Sequence, residues 1–461
     1  MSRLIPAALA VLVTAGCASA TAGGPGAVDG AASLVPGNAV AFVAASSDLT
    51  SGQWHAVGKV LLNGIERKTK LVWASDIQPA VGDEVDVAVL PGDQVVALTQ
   101  PHDEAKLAAL AQKYNCKTRK VGDWTAIAQS DAVLKELGPS ALSLAENKLF
   151  RAAMDRIPSD AFVRAYVSGA KADDLIESLP GQMETSVAPM GMNYRFGQPR
   201  VKRPTAATTA WVQFRWAAAA LTDEKGGLKL EAVARTGELT SPGPPRYIVQ
   251  PGAPYVPALT DEIPADVLAV LDFPVPTGAF ELVPKLPPAL LKLFGKNAFG
   301  LPNQLDTLLH GETALYVRAA LPMPEVTLVT LPSDTAAASS TLDDLLRALP
   351  ESSVLKGLTL HRAIIGGQLV VSTSDRGIAD FRGGGPKLSA DPSFLEARKL
   401  SGMPDETTGF AYVNAKAALP LLGLAGVKLP ADLPDIRTLI AYGAQGASER
   451  TYTAFLQVDS S

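Results

Sequence analysis

Cys17 is the residue whose surroundings most specifically predict chemistry. It follows an apolar stretch over 4–15 and a glycine at position 16. This arrangement is typical of a bacterial lipoprotein signal, in which the cysteine thiol is acylated and becomes the first residue of the mature chain. Two or three acyl chains, such as palmitate, anchor a protein stably where one does not. The sequence therefore predicts a signal peptide over 1–16 and lipidation of Cys17.

An ordinary secretory signal is the alternative for the same segment. Ala18-Ser19-Ala20 offers a small-x-small cleavage site, and Thr14 replaces the leucine that is more frequent in lipoprotein signals. The apolar stretch is too short to cross a bilayer, which takes about 20 residues. Lipidation predicts a protein held on the outer, extracytoplasmic face of the cell membrane, with a flexible Ala, Gly, Ser and Pro-rich tether over 17–33.

Composition narrows the classes of partner and the number of domains. The 461 residues suffice for two to four domains, and 47% are hydrophobic, enough for a large core. The formal charge of −5 lacks the basic excess of nucleic-acid-binding domains. With Cys17 acylated, Cys116 has no partner for an internal disulfide. Lys117 and Arg119 could lower the pKa of its thiol, although we favour a structural role for Cys116.

Histidines and nucleophile motifs give little support to catalysis. No histidine has a second histidine or cysteine at metal-ligand spacing; the four are His55, His102, His310 and His361. No Gly-x-Ser-x-Gly elbow occurs. The glycines before Pro386 lack the Lys-Ser/Thr of a phosphate loop and predict a turn. We expect no metal, no cofactor and no catalytic residue, and keep a hydrolase of unfamiliar type as a remote alternative.

Three carboxylates cluster at one strand start. Strand alternation places Glu84 and Asp86 on one face, with Asp83 beside them. Such a group could bind calcium, which prefers several oxygen ligands. We favour a solvated strand edge whose like charges block edge-to-edge pairing. The corresponding stretch at Glu312 has no second carboxylate at this spacing, so the cluster itself is not repeated along the sequence.

The chain repeats itself in order. Segment 35–42 matches 263–270, Ser130-Asp131 matches 374–375, and 165–167 matches 411–413. A separation this long predicts a duplicated domain rather than a solenoid. We expect an α+β fold of two related domains, 34–240 and 262–461, joined by a proline-rich linker over 241–261.

Each copy should contain about seven strands and four or five helices. Alternating valines over 85–89, the turn 91–93 and the run 94–99 predict a hairpin. Leucines at helical spacing predict helices over 104–114 and 336–349, and Ser130 should cap a short helix. Because short turns join most neighbouring strands, the sheet should be largely antiparallel, with helices over one face.

Two stretches have compositions that suit contact with a partner or a membrane as well as packing in a core. An insertion over 183–204 mixes methionines with basic residues, which suit contact with a partner or with anionic lipid; its candidate contact residues are Met190, Met192, Arg195, Arg200, Lys202 and Arg203. A Leu and Lys-rich run over 280–299 could lie on a membrane or line an apolar site. In both cases packing over the chain's own domain is the favoured alternative.

The chain after the tether resembles an uncharacterised group of bacterial envelope proteins built on a domain of unknown function, here in two copies. Short segments carry the resemblance, namely 263–266, 311–315, 366–374, 393–395 and 409–413. The resemblance implies export and an envelope location, and it supplies no catalytic residue.

Taken together, the sequence favours a lipid-anchored, non-enzymatic envelope protein with a binding or structural role. Its ligand could be an apolar molecule held between sheet and helices. The alternative is a scaffold that contacts another envelope protein through 183–204.

Overall fold

The described strands of the chain form one antiparallel sheet. The computed structural model describes residues 27–47, 72–140, 142–169, 212–238, 253–275, 301–321, 323–348, 359–424, 435–446 and 448–458. Within them, sixteen strands form a single sheet, and every neighbouring pair is antiparallel. This confirms the α+β class and the antiparallel sheet.

The strands divide into a first and a second half, each with eight described strands where about seven were predicted. The first half comprises β1 (Ala41–Ser46), β2 (Glu84–Leu90), β3 (Gln94–Thr99), β4 (Lys117–Val121), β5 (Trp124–Ala128), β6 (Val163–Ser168), β7 (Val212–Glu224) and β8 (Gly227–Glu238). The second half comprises β9 (Val267–Val275), β10 (Gly311–Arg318), β11 (Glu325–Thr330), β12 (His361–Ile365), β13 (Gln368–Ser372), β14 (Phe410–Val413), β15 (Ile436–Gln445) and β16 (Glu449–Val458).

The strand order is the same in both halves when each is followed from its outer edge. It runs β4-β5-β3-β2-β1-β6-β7-β8 in the first half and β12-β13-β11-β10-β9-β14-β15-β16 in the second. The halves meet where β8 pairs with β16, with Leu230 opposite Ala454. The sheet is therefore continuous across the two predicted domains.

Nine described α-helices connect or cover the strands. They are α1 (Ala27–Ala32), α2 (Glu104–Lys113), α3 (Asp131–Lys135), α4 (Lys148–Met154), α5 (Leu301–Leu309), α6 (Thr335–Ala348), α7 (Asp375–Arg382), α8 (Pro392–Ser401) and α9 (Ala415–Leu424). Short 3-10 turns lie at Leu144–Glu146, Ala258–Asp261 and Leu388–Ala390, and Trp73–Ile77 forms a π-helical turn.

Local sequence explains several of these boundaries. The hairpin of β2 and β3 turns at Gly92 and Asp93, both with positive φ, as the predicted turn requires. Ser130 accepts a hydrogen bond from Val133 N at the start of α3, and Ser374 accepts one from Gly377 N at the start of α7. These caps satisfy free N–H groups of the first turn. The predicted hairpin, the helix over 104–114 and the Ser130 cap are confirmed.

On the front face of the sheet, which carries Phe42 and Tyr412, each half has its own apolar core. Phe150 of α4 meets Tyr166 edge to face, with ring centroids 5.2 Å apart. Phe394 of α8 meets Tyr412 in the same way at 5.1 Å. Such pairs contribute about 0.5–1.5 kcal/mol beyond area burial. The two cores thus use the same aromatic contact at corresponding strands.

Helices also cover parts of the back face, which carries Val87 and Leu328. Leu107 of α2 belongs to a cluster with Val85, and Leu342 of α6 packs with Leu369. The prediction of helices over one face is therefore wrong. Its physical reason is that neighbouring strand residues of both parities are buried, so that both faces need cover.

The chain boundaries differ from prediction at the N-terminal side. Ala31 and Ala32 of α1 are fully buried in the first core. The predicted tether over 17–33 therefore includes residues of the folded unit. The described end of the predicted linker, 253–261, also packs against the second half. Leu259 is fully buried in its core, and Tyr255 forms an isolated antiparallel β-bridge with Thr407.

Candidate functional site

A buried carboxyl pair occupies β2 in the first half. Asp86 is fully buried, and its carboxyl group lies close to that of Glu84, two residues before it on the same strand. Burial raises the pKa of Asp86 well above its usual range, and the Glu84 charge adds to the effect while Arg164 opposes it. Burial also raises the pKa of Glu84. The predicted solvated edge is wrong for Glu84 and Asp86, because β2 lies between β1 and β3 and these two carboxyl groups face the core. Asp83, just before β2, is exposed as predicted.

A second carboxyl pair occupies the corresponding place in the second half. Asp272 of β9 is fully buried, and its carboxyl group lies close to that of Glu312 of β10. Tyr255 Oη donates to Asp272 Oδ1 at 2.5 Å, and Leu259 N donates to Glu312 Oε1 at 2.8 Å. Burial raises the pKa of Asp272 well above its usual range, with the Glu312 charge as the next cause. This pair fastens the segment before β9 to the sheet.

The two aspartates hold equivalent positions on different strands. In the first half Ala44 of β1 lies opposite Asp86 of β2. In the second half Asp272 of β9 lies opposite Ala314 of β10. The aspartate and alanine have exchanged strands, whereas Glu84 and Glu312 keep the same place. This is why the sequence pattern around Glu312 gives no sign of a second cluster.

Both pairs can hold a proton, but they are poorly placed to act on a substrate. Two adjacent carboxyl groups in a dry site share a proton because both cannot ionise cheaply. Asp86 and Asp272 are closed to solvent, so a substrate has no direct access to them. Their geometry favours a structural role, and the second pair also links β9 to β10.

The described histidines do not assemble into a site. His102 Nε2 lies 3.1 Å from Asp83 Oδ1, on the loop before α2. His361, on the edge strand β12, pairs with Asp375. His310 lies between α5 and β10. No group of three or more His, Cys, Asp or Glu within the described ranges could hold a metal ion, so the calcium alternative gains no support there; His55 lies outside those ranges.

Cys116 is half-buried beside a surface depression. Its Sγ lies 3.7 Å from Tyr114 O, and burial raises the pKa of the thiol. The alternative of a thiol activated by Lys117 and Arg119 gains no support, because burial shifts the pKa in the opposite direction. The depression has a volume of about 280 Å³, and another of about 590 Å³ lies between Ser33 and Glu146. Both open to solvent, so neither encloses a ligand.

Several predicted contact residues lie outside the described part of the chain. They are Cys17, Met190, Met192, Arg195, Arg200, Lys202 and Arg203, together with the run over 280–299. The glycine run before Pro386 is described, and it forms a turn between α7 and the 3-10 turn Leu388–Ala390, as predicted.

The back face at the centre of the sheet is apolar and carries no described helix. Residues of β7, β8 and β16 form this surface, which we call the back-face strip. Its members are Ala217, Ala219, Leu221, Leu230, Ala232, Ala234, Tyr452, Ala454 and Leu456. Leu230 is 44% exposed, and most of the others are half-buried. The described helices that pack closely on these strands, α4 and α8, lie on the front face.

The dimensions of the strip suit a long, thin ligand. From Tyr452 to Leu456 the strip extends about 13 Å along β16, at about 3.3 Å per residue. Its alanines keep the surface low between the larger Leu230 and Tyr452. Contiguous exposed apolar surface of this kind marks binding sites more often than chance. Sequence reasoning missed the strip because it requires knowing that β8 and β16 are neighbours.

None of the described helices combines the length and the apolar character needed to cross a membrane. No protein-family model, curated protein or solved structure matches the chain.

Proposed function

We propose that the chain is a lipid-anchored, non-enzymatic protein of the cell envelope that binds an apolar ligand on the back-face strip. The observation that carries this proposal is the strip itself, an apolar surface at the centre of the sheet with no described helix over it. The proposed ligand lies on the sheet surface, since the two depressions described above open widely to solvent.

We further propose that the two halves arose by internal duplication. The identical strand order, the paired aromatic contacts and the carboxyl pairs support this origin. Duplication would place two copies of the long terminal hairpin side by side. The strip would then be a product of joining the copies, since β7 and β8 come from one half and β16 from the other.

Ligand binding is tested with the full chain carrying Cys17→Ser, which cannot be acylated. The neutral probe N-phenyl-1-naphthylamine should gain fluorescence on binding. Leu230→Glu should weaken probe binding at least about tenfold, equivalent to about 1.4 kcal/mol, because it places a carboxylate on the strip. The control is Leu142→Glu, since Leu142 is 82% exposed and lies away from the strip. Equal binding by both variants, or no binding by the parent chain, would remove the proposal.

The anchor is tested separately in cells. The full chain should incorporate an alkyne analogue of palmitate and sediment with membranes, and Cys17→Ala should lose both properties. Labelling that persists in Cys17→Ala would show that the acyl chain is attached elsewhere. Absence of labelling in the parent chain would favour an ordinary secretory signal.

A further inference from the structure

Arg450 stands out among the charged residues of the back face. It lies on β16 at the end of the strip, opposite Gln445 of β15 and Ala234 of β8. Only 5% of its surface is exposed. In the part of the chain that the structure describes, the polar side chain that lies beside its guanidinium is that of Tyr452.

Arg318 shows what a buried arginine normally receives in this protein. It is 3% exposed, and its guanidinium bonds to Asp266 at 2.7 Å, Glu325 at 3.0 Å and Asp380 at 2.7 Å. Arg450 is almost equally buried, yet no described carboxylate pairs with it. A buried guanidinium without a counter-ion is costly, because it loses water and gains no opposite charge. Arg450 thus lacks the anion that its surroundings call for.

Gln445 adds a second unsatisfied group at the same place. Its side-chain oxygen is buried and has no hydrogen-bond partner. A half-turn about the last side-chain torsion exchanges oxygen and nitrogen, and such torsions are soft. The amide N–H would then join Arg450 and Tyr452 as a third donor. These three donors lie at the end of the apolar strip. The donors suit the polar head group of an amphiphile, and the strip suits its alkyl tail.

We propose that the back-face strip binds a single-tailed amphiphile whose anionic head, a carboxylate or a phosphate monoester, is held by Arg450. The inference rests on the proposed function and names its ligand class. The planar guanidinium suits both head groups because it can donate two parallel hydrogen bonds. Tyr452 and Gln445 complete the head site, and the alkyl tail lies along Ala232, Ala454 and Leu456.

The test compares ligands of equal tail length. Hexadecanoate, hexadecyl phosphate and neutral hexadecanol displace N-phenyl-1-naphthylamine from the full chain carrying Cys17→Ser. We expect at least one anionic ligand to bind about tenfold or more tightly than hexadecanol. Arg450→Gln should remove this preference while leaving hexadecanol binding unchanged. Arg450→Lys should keep part of it, since lysine retains the charge without the planar fork.

Arg235→Gln is the matched control. Arg235 is on the neighbouring strand β8, paired with Glu449, and its side chain is 49% exposed. It should keep the full preference for the anionic ligand. If Arg450→Gln does not fold, Arg450→Lys and Tyr452→Phe replace it, and both should reduce the preference.

The outcomes separate this inference from the proposed function. Equal displacement by all three ligands in the parent chain would overturn the anionic head site while leaving the apolar strip in place. Failure of the probe itself to bind would remove the strip as a ligand site. A preference for the anion that survives in Arg450→Gln would assign the head site to other residues and overturn the role of Arg450.

Discussion

The first and second halves of the sheet bury an aspartate at the same place, but they draw it from different strands and balance it differently. Asp86 on β2 has the Arg164 charge nearby, whereas Asp272 on β9 accepts a hydrogen bond from Tyr255. Asp86 lies opposite Ala44, and Asp272 lies opposite Ala314. The fold therefore tolerates either strand as the source of the carboxyl group, provided that it meets the neighbouring glutamate.

A second contrast lies at the ends of β2 and β10. Leu90 closes β2 and is buried in the apolar core of the first half. Arg318 closes β10 at the corresponding position, and it is buried among three carboxylates. One location in the sheet thus holds a hydrocarbon in one half and an ion network in the other. Local partners, rather than strand position alone, decide which side chain is stable there.

Arg318→Leu should have the largest effect among variants that probe this contrast. The change gives the second half the residue type of the first, but it leaves Glu325 buried without a cation. Removing one partner of a buried ion pair typically costs about 3–5 kcal/mol. Urea unfolding should show this loss, and adding Glu325→Gln should recover part of it. An unchanged midpoint would mean that the network contributes no net stability.

Tyr255→Phe should destabilise the second half by about 1–3 kcal/mol, since it leaves a buried Asp272 oxygen without its donor. Tyr412→Phe is the control, because the Tyr412 hydroxyl is buried with no hydrogen-bond partner. The control should be neutral or slightly stabilising. Hydrogen exchange would locate the Tyr255→Phe effect, and equal losses in the β9 and β2 amides would contradict its assignment to one half.

Asp86→Asn and Asp272→Asn should change how stability depends on pH. Because burial raises the folded-state pKa of both groups, their contribution is fully present below the unfolded pKa of about 3.9 and is lost as pH rises through the folded value. Each amide should therefore gain stability relative to the parent as the pH rises from 4 to 8, because the amide has no charge to bury.

Thermal unfolding between pH 4 and pH 9 measures this effect. A difference between the stability–pH profiles of the two amide variants would show that Arg164 and Tyr255 stabilise the charged aspartates to different extents. Profiles that coincide with the parent at every pH would show that neither aspartate holds its proton more tightly when folded.

Ser130→Ala and Ser374→Ala should give the smallest losses. Losing a helix N-cap costs about 1 kcal/mol. Ser374 should cost more than Ser130, because its hydroxyl also bonds to Glu325 while its cap bond is shorter, at 3.0 Å against 3.4 Å. Melting temperatures of the two variants would rank them, and a larger loss in Ser130→Ala would contradict this ranking.

Local patterns in the sequence predicted the hairpin of β2 and β3, the α2 helix and the Ser130 cap, because each depends on residues close in the chain. They could not predict the burial of Asp86, since alternation gives the face of a strand but not what covers that face. Arg450 was missed for the same reason. Its burial and its missing counter-ion depend on β15 and β8, which are neighbours only in the folded sheet.

The same limit explains the error over helix placement. Val87 and Ala88 are adjacent and both buried, a pattern that a strand in the middle of a covered sheet produces. The strand β4, with the exposed residues Lys117 to Lys120, carries no apolar alternation and escaped prediction. Its charges suit the outer edge of a sheet, where they discourage pairing with other chains.

The pairing of β8 with β16 has a consequence for the newly made chain. β8 is 12 residues long and is complete well before β16, which occupies the last described part of the chain. Until β16 arrives, one side of β8 presents unpaired N–H and C=O groups, a template for strands of any nascent neighbour. Pairing with the ten-residue strand β16 therefore removes this exposed edge. A chain that ends before Glu449 would keep β8 as an exposed edge strand, open to pairing with other chains, at the point where the two halves of the sheet normally join.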